Sequence, residues 1–159
     1  LFWAGLFFFC VLLGGVFWKF VIGEIEPIIK TLLKVVDKVH TPTYTAMSIF
    51  FKNAFVVILC VFLGMRAVVP TIVCVINGLV IGAIGGLLHV HGTAWPNYFL
   101  ALAPHGIFEL PAIFLACAIG VSLYTAREKL KLAMAPLGML VVAACIEAWV
   151  SPVVAHRIL

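Results

Sequence analysis

From Ala67 to Leu88 the chain runs for 22 residues with no charge and one strongly polar side chain, Asn77. A helix needs about 20 consecutive apolar residues to cross the hydrocarbon core of a bilayer. In lipid every backbone polar group must be satisfied within the structure, so only helices and closed barrels cross. Four more runs have the same character, at Leu1–Ile22, Tyr44–Met65, Tyr98–Tyr124 and Leu132–Val154. All are continuous, without the period-two alternation of an outer-membrane barrel. The sequence therefore predicts an all-α, polytopic transmembrane bundle in the cell membrane. It forms one integral membrane domain of about five spans. Only 10% of the 159 residues are charged, against about 25% in a soluble domain. The net charge of +4 is small and dispersed. That suits a lipid bilayer as partner and gives no footing for nucleic acid.

Between the first two runs the pattern changes. Over 24–40, Ile25, Ile28, Ile29, Leu32, Leu33, Val36 and Val39 share one helical face, and Glu26, Lys30, Lys34, Asp37 and Lys38 the other. This predicts an amphipathic helix in the headgroup region, separating span one (1–22) from a core bundle over 44–154. All five cysteines fall in apolar runs without a CxxC pair, and read as small buried hydrophobes. The chain opens on Leu1 inside an apolar run, which implies residues before it. That run is too long for a signal-peptide core and reads as a retained span.

The fourth run contains Leu102-Ala-Pro-His-Gly-Ile-Phe-Glu-Leu-Pro-Ala112, with His105 and Glu109 four residues apart between Pro104 and Pro111. Ionisable groups at membrane depth cost about 3 kcal/mol each or more and usually mark function. Two prolines so close break or kink a helix. Span four is thus either one kinked helix or a short half-helix followed by a crossing, with the break near Pro104. Gly78, Gly82 and Gly86 recur every four residues, a small-residue stripe for a helix contact inside the chain or at a homodimer seam. His89 and His91 sit in the following loop, and a pair without a third ligand reads as polar loop rather than a metal site.

If the five runs alternate in direction, the polar residues fall at one depth. At 1.5 Å per residue, Asn53 lies about 14 Å from the second membrane face, Asn77 and Glu109 about 16 Å, and His105 and Glu147 about 10 Å. Lys52 belongs to the same layer. His105, Glu109 and Glu147 form a ligand set for a divalent cation, zinc first, iron or manganese otherwise, with Asn53 or Asn77 completing it. The competing account needs no metal: Lys52 pairs with a carboxylate, or a glutamate is protonated by burial. Three functions fit such a layer. They are a structural or regulatory site in a subunit that binds other membrane proteins, a metal-dependent hydrolase, and a path for metal ions or protons. An HExxH motif is lacking, which weighs against the hydrolase.

Pro104-His-Gly-Ile-Phe-Glu-Leu-Pro-Ala112, Asn77-Gly-Leu-Val-Ile-Gly82, Asn53, and Ile146-Glu-Ala148 before Ser151-Pro152 together resemble the stage II sporulation protein M family over about Phe50 to Pro152. The resemblance implies an integral membrane protein of five or more spans. It also implies that His105, Glu109, Asn53, Asn77 and Glu147 are the family's polar positions. In endospore formers the namesake belongs to the machinery that remodels peptidoglycan, although the family also occurs where there is none. Many members carry a second asparagine after the first in span two, where this chain has Ala54.

Overall fold

The computed structural model describes residues 1–23 and 42–150. The amphipathic helix expected over 24–40 lies outside the described residues, as does the side chain of His105. Five helices lie wholly within the described residues, besides a short helical stretch at 18–23: α1 (Phe2–Val16), α2 (Pro42–Leu63), α3 (Val68–Val90), α4 (Trp95–Val121) and α5 (Ala126–Trp149). A single 3-10 turn, Gly64–Arg66, joins α2 to α3, and Ala67 closes it in the left-handed region at φ 58°. Among the described residues there is no strand.

Among the described residues three stretches are long and apolar enough to cross a membrane: Thr43–Arg66, Val68–Val90 and Ala126–Trp149. α4 adds a fourth when its two bent parts are taken together. The run expected as span one is not a single helix. α1 stops at Val16 after 15 residues, about 22 Å of helix. The chain bends at Phe17, where Phe20 N–H turns back to the Phe17 carbonyl, and is helical again over 18–23. The outward side chains are what lipid tolerates: Phe2, Phe8, Phe9, Leu12 and Val16 are exposed, while Trp3, Phe7, Cys10 and Val11 are buried.

α1 and α3 run parallel, joined by glycines. A Cβ at Gly78 would come within 2.6 Å of the Phe7 carbonyl oxygen, one at Gly82 would strike the Val11 carbonyl, and one at Gly86 would lie 2.7 Å from that of Gly15. The contact positions advance together, 78 on 7, 82 on 11 and 86 on 15, so the two helices point the same way. Gly14 answers from α1 against the Leu79 carbonyl. In lipid, where apolar side chains gain nothing by leaving solvent, such close backbone approach is a principal source of helix association. The stripe is therefore occupied within the chain by α1, and a homodimer has to use another face.

A second seam joins α2 to α4. The Cys117 thiol donates to Cys60 Sγ at 3.8 Å, and Gly120 meets both the Cys60 carbonyl and the backbone of Gly64. Cys60, Cys74 and Cys117 are buried and reduced, as is Cys10; Cys145 departs from the expectation and is exposed on the outside of α5. Buried residues from all five helices, among them Phe7, Val57, Cys74, Ala116 and Leu140, join in one core.

The charged segment 127–131, between the fourth and fifth apolar runs, is the start of α5. Thr125 and Glu128 form a capping box: the hydroxyl accepts from Glu128 N–H and the carboxylate accepts from Thr125 N–H at 2.8 Å. Thr-x-x-Glu before an apolar run is the sequence signal for this N-terminus. Starting the helix there turns Lys129 inward. It is 4% exposed, and its ammonium donates to the Gly120 carbonyl at 2.7 Å, at the last turn of α4. A cation is favourable at that end of a helix. Lys129→Met keeps the length and removes the donor, leaving a buried carbonyl unsatisfied. It is expected to destabilise by about 1–3 kcal/mol, read as a lowered unfolding midpoint in detergent. Lys129→Arg should recover part of the loss.

Candidate functional site

α4 begins at Trp95 with a proline in its first turn, three residues before the expected start at Tyr98. It contains both Pro104 and Pro111. Its axis turns by 72° between Trp95–Pro104 and Gly106–Val121. Pro104 can give no N–H to the Leu100 carbonyl, and Gly106 follows within two residues; proline beside glycine is a recognised source of kinks. Pro111 has no such neighbour, and the helix runs through it.

The short arm before the bend is held against α1 and α3. Tyr98 is buried, and its hydroxyl donates to the Ile81 carbonyl at 2.7 Å. Gly15 and Gly85 leave room for the Trp95 ring, which stacks on Phe99 at 5.9 Å. The expected loop histidines serve the end of α3: His91 Nδ1 donates to the Leu87 carbonyl at 2.8 Å and His89 Nδ1 to that of Thr93 at 3.1 Å.

Inside the bend, α3 and α4 enclose a cavity of about 30 Å³ lined by Asn77, Ile81, Leu102, Gly106, Glu109, Leu110 and Ile113. That volume admits a water or a single ion. The Asn77 amide donates to the Val73 carbonyl at 2.8 Å, one turn back on its own helix, leaving its oxygen as an acceptor. The cavity thus brings together an amide oxygen and a carboxylate in apolar surroundings. Both offer oxygen atoms of the kind a divalent cation takes.

The other expected site residues lie elsewhere. Asn53 is half-buried on α2, and Lys52 beside it is exposed. Glu147 is half-buried near the end of α5 and does not line the cavity. Counting outward from the α4–α5 turn, position 138 of α5 falls level with Glu109, and Glu147 about 13 Å farther along the helix. His105 precedes Glu109 by four residues at the bend itself. Among the described residues no group of three histidine, cysteine or acidic side chains is placed to hold a metal. Sequence reasoning missed Lys129, whose partner is a backbone carbonyl on another helix and leaves no mark on residue type.

Apolar helices of crossing length, backbone-to-backbone seams and a broken helix around an acidic cavity define a helical membrane protein. The family model for stage II sporulation protein M matches residues 3–152, and the chain belongs to that family. Comparison with curated proteins and with solved structures found no match.

Proposed function

We propose that this protein is a five-span subunit of the cell membrane, α1 and the broken α4 each counting as one crossing. In this reading the polar site at the bend is a structural or regulatory one in a non-enzymatic protein that binds other membrane proteins. The observation that carries it is the meeting of Asn77 and Glu109, from two helices, in one ion-sized cavity beside the break at Pro104–Gly106. A divalent cation, zinc first, would tie the long arm of α4 to α3 there. Glu109 supplies a carboxylate, Asn77 an oxygen in reserve, and His105 a nitrogen from the same helix. Such a tie would set the angle of the bend, and with it the surface that α1 and the short arm offer to partners. Glu147 and Asn53 would act on the site from farther away, and Lys52 from the outside of the bundle.

Metal analysis of the purified full chain tests this. About one equivalent of divalent metal per chain is expected, falling to background in Glu109→Ala and substantially reduced in Asn77→Ala. A chain that folds and holds no stoichiometric metal would sink the cation. The same result in Glu109→Ala and in the parent would move the site elsewhere.

A further inference from the structure

The bend in α4 does more than enclose the small polar cavity. On the side facing α1 it opens an apolar groove of about 390 Å³, whose walls include Phe7, Val11, Phe99, Leu102, Ala103 and Ile107. A second apolar hollow of about 380 Å³ lies between Val11, Gly15 and Val16 of α1 and Trp95 and Phe99 of α4. Val11 and Phe99 line both, so the two adjoin along α1 from Phe7 to Val16, about 13 Å of helix. Each is within the size range of small-molecule sites. The groove opens sideways, past Phe8, Leu12 and Ile107, all exposed on the outside of the bundle.

Its upper end is chemically different. Trp18 packs on Gly86, and Trp95 lies against Gly15 and Gly85. Tryptophans at this position mark the headgroup level. One turn beyond Gly15, the Lys19 ammonium lies 5.7 Å from the Trp18 ring, exposed. Among the described residues the segments next to this end of the groove, 1–23 and 86–100, contain Lys19 and no Asp or Glu. An apolar trough that opens to the bilayer, with a lysine three residues beyond Val16, the last α1 residue that lines it, matches one kind of molecule in both its parts.

We infer that the groove between α1 and the bent α4 is a binding site for an anionic phospholipid, one acyl chain lying along Val11 and Phe99 and the phosphate at Lys19. The acyl chain completes the packing that the bend leaves open. The lysine selects the charge, at a contribution of about fivefold in affinity for one basic residue near the surface. The site needs no metal and is independent of the reading of Glu109.

Purified, delipidated full chain in a neutral detergent tests it. Phosphatidylglycerol and phosphatidylcholine carrying brominated acyl chains are titrated in turn, with quenching of tryptophan fluorescence as readout. Saturable quenching is expected, with phosphatidylglycerol bound about fivefold more tightly. Lys19→Gln should remove that preference and leave quenching by both lipids. Ala103→Phe, which fills the groove, should weaken both. Lys19 is exposed, so its variant folds, and it decides the question should Ala103→Phe fail to fold. Equal binding of the two lipids by the parent chain, or a preference unchanged in Lys19→Gln, would overturn the inference. So would full competition by inorganic phosphate alone, which would reduce the site to an anion contact without the groove.

Discussion

Replacing Gly82 with leucine is expected to unseat α1 from α3 at a cost of about 3 kcal/mol or more. The new side chain would begin where the Val11 carbonyl already stands. The obstacle is backbone, so no rotamer change can relieve it, and either the helices part or the added atoms are strained. Neighbouring contacts leave little room to slide. Gly78 is closed by Phe7 and Cys10, Gly86 by Gly15 and Trp18, and Gly14 by Leu79. In a soluble protein, burial of Phe7 and Val11 would help hold the helix in place. In lipid that force is absent, and the close fit carries the association. A glycine outside the seams gives the contrast. Gly138, on the exposed side of α5, meets nothing within 4 Å. There alanine should stabilise by roughly 0.5–1 kcal/mol through helix propensity. Unfolding midpoints of the two variants in mixed micelles, moving in opposite directions, would check both. A Gly82→Leu chain as stable as the parent would mean that the two helices are not joined at this seam.

The contrast shows what the sequence can carry. The apolar runs at 44–65, 67–88 and 132–154 mark helices, because the demands of lipid on composition are severe and local. Their ends are less legible. Pro96 moves the start of α4 forward, since a proline in the first turn loses nothing there. Thr125 and Glu128 move the start of α5 back into a charged segment that resembles a loop only while its capping box goes unread. The stripe at 78, 82 and 86 announces a close contact, but its partner is a tertiary fact, supplied by Gly14 and Gly15 of α1. The polar site divides in the same way. Asn77 and Glu109 stand out as costly residues in apolar runs, and each can be found alone. Their meeting lies beside the bend at Pro104, a turn of the chain that no residue count along a straight helix provides. Counting depth on straight rods ranks Lys52 with them, yet Lys52 is exposed, because depth says nothing about which side of a helix faces inward.

The second large effect belongs to Gly120, where three elements cross. A Cβ there would strike the Cys60 carbonyl of α2 and come within 3.2 Å of Gly64 in the turn that follows, while the Gly120 carbonyl receives the buried Lys129 of α5. Gly120→Leu therefore pushes α2 and α4 apart. It also threatens the Lys129 bond that ties the start of α5 to α4, and a hydrogen bond from a charged group contributes about 1.5–3 kcal/mol by itself. The combined cost should exceed that of Gly82→Leu. The two variants should also fail in different places, and the cysteines can tell them apart. Cys60 and Cys117 face each other across the seam of α2 and α4, whereas Cys10 lies against Gly78 in the seam of α1 and α3. Thiols buried in close packing are inert until the packing opens. With a small maleimide in detergent, followed by mass spectrometry of the fragments, the parent chain should label at the exposed Cys145. Gly120→Leu should add Cys60 and Cys117, and Gly82→Leu should add Cys10 while sparing that pair. Labelling of all four buried thiols at once in both variants would show a bundle that opens as one cooperative body. Labelling confined to one seam would show that the α1–α3 pair and the α2–α4–α5 group hold together by separate contacts. The bend of α4, which reaches from one group to the other, would then be the joint between them.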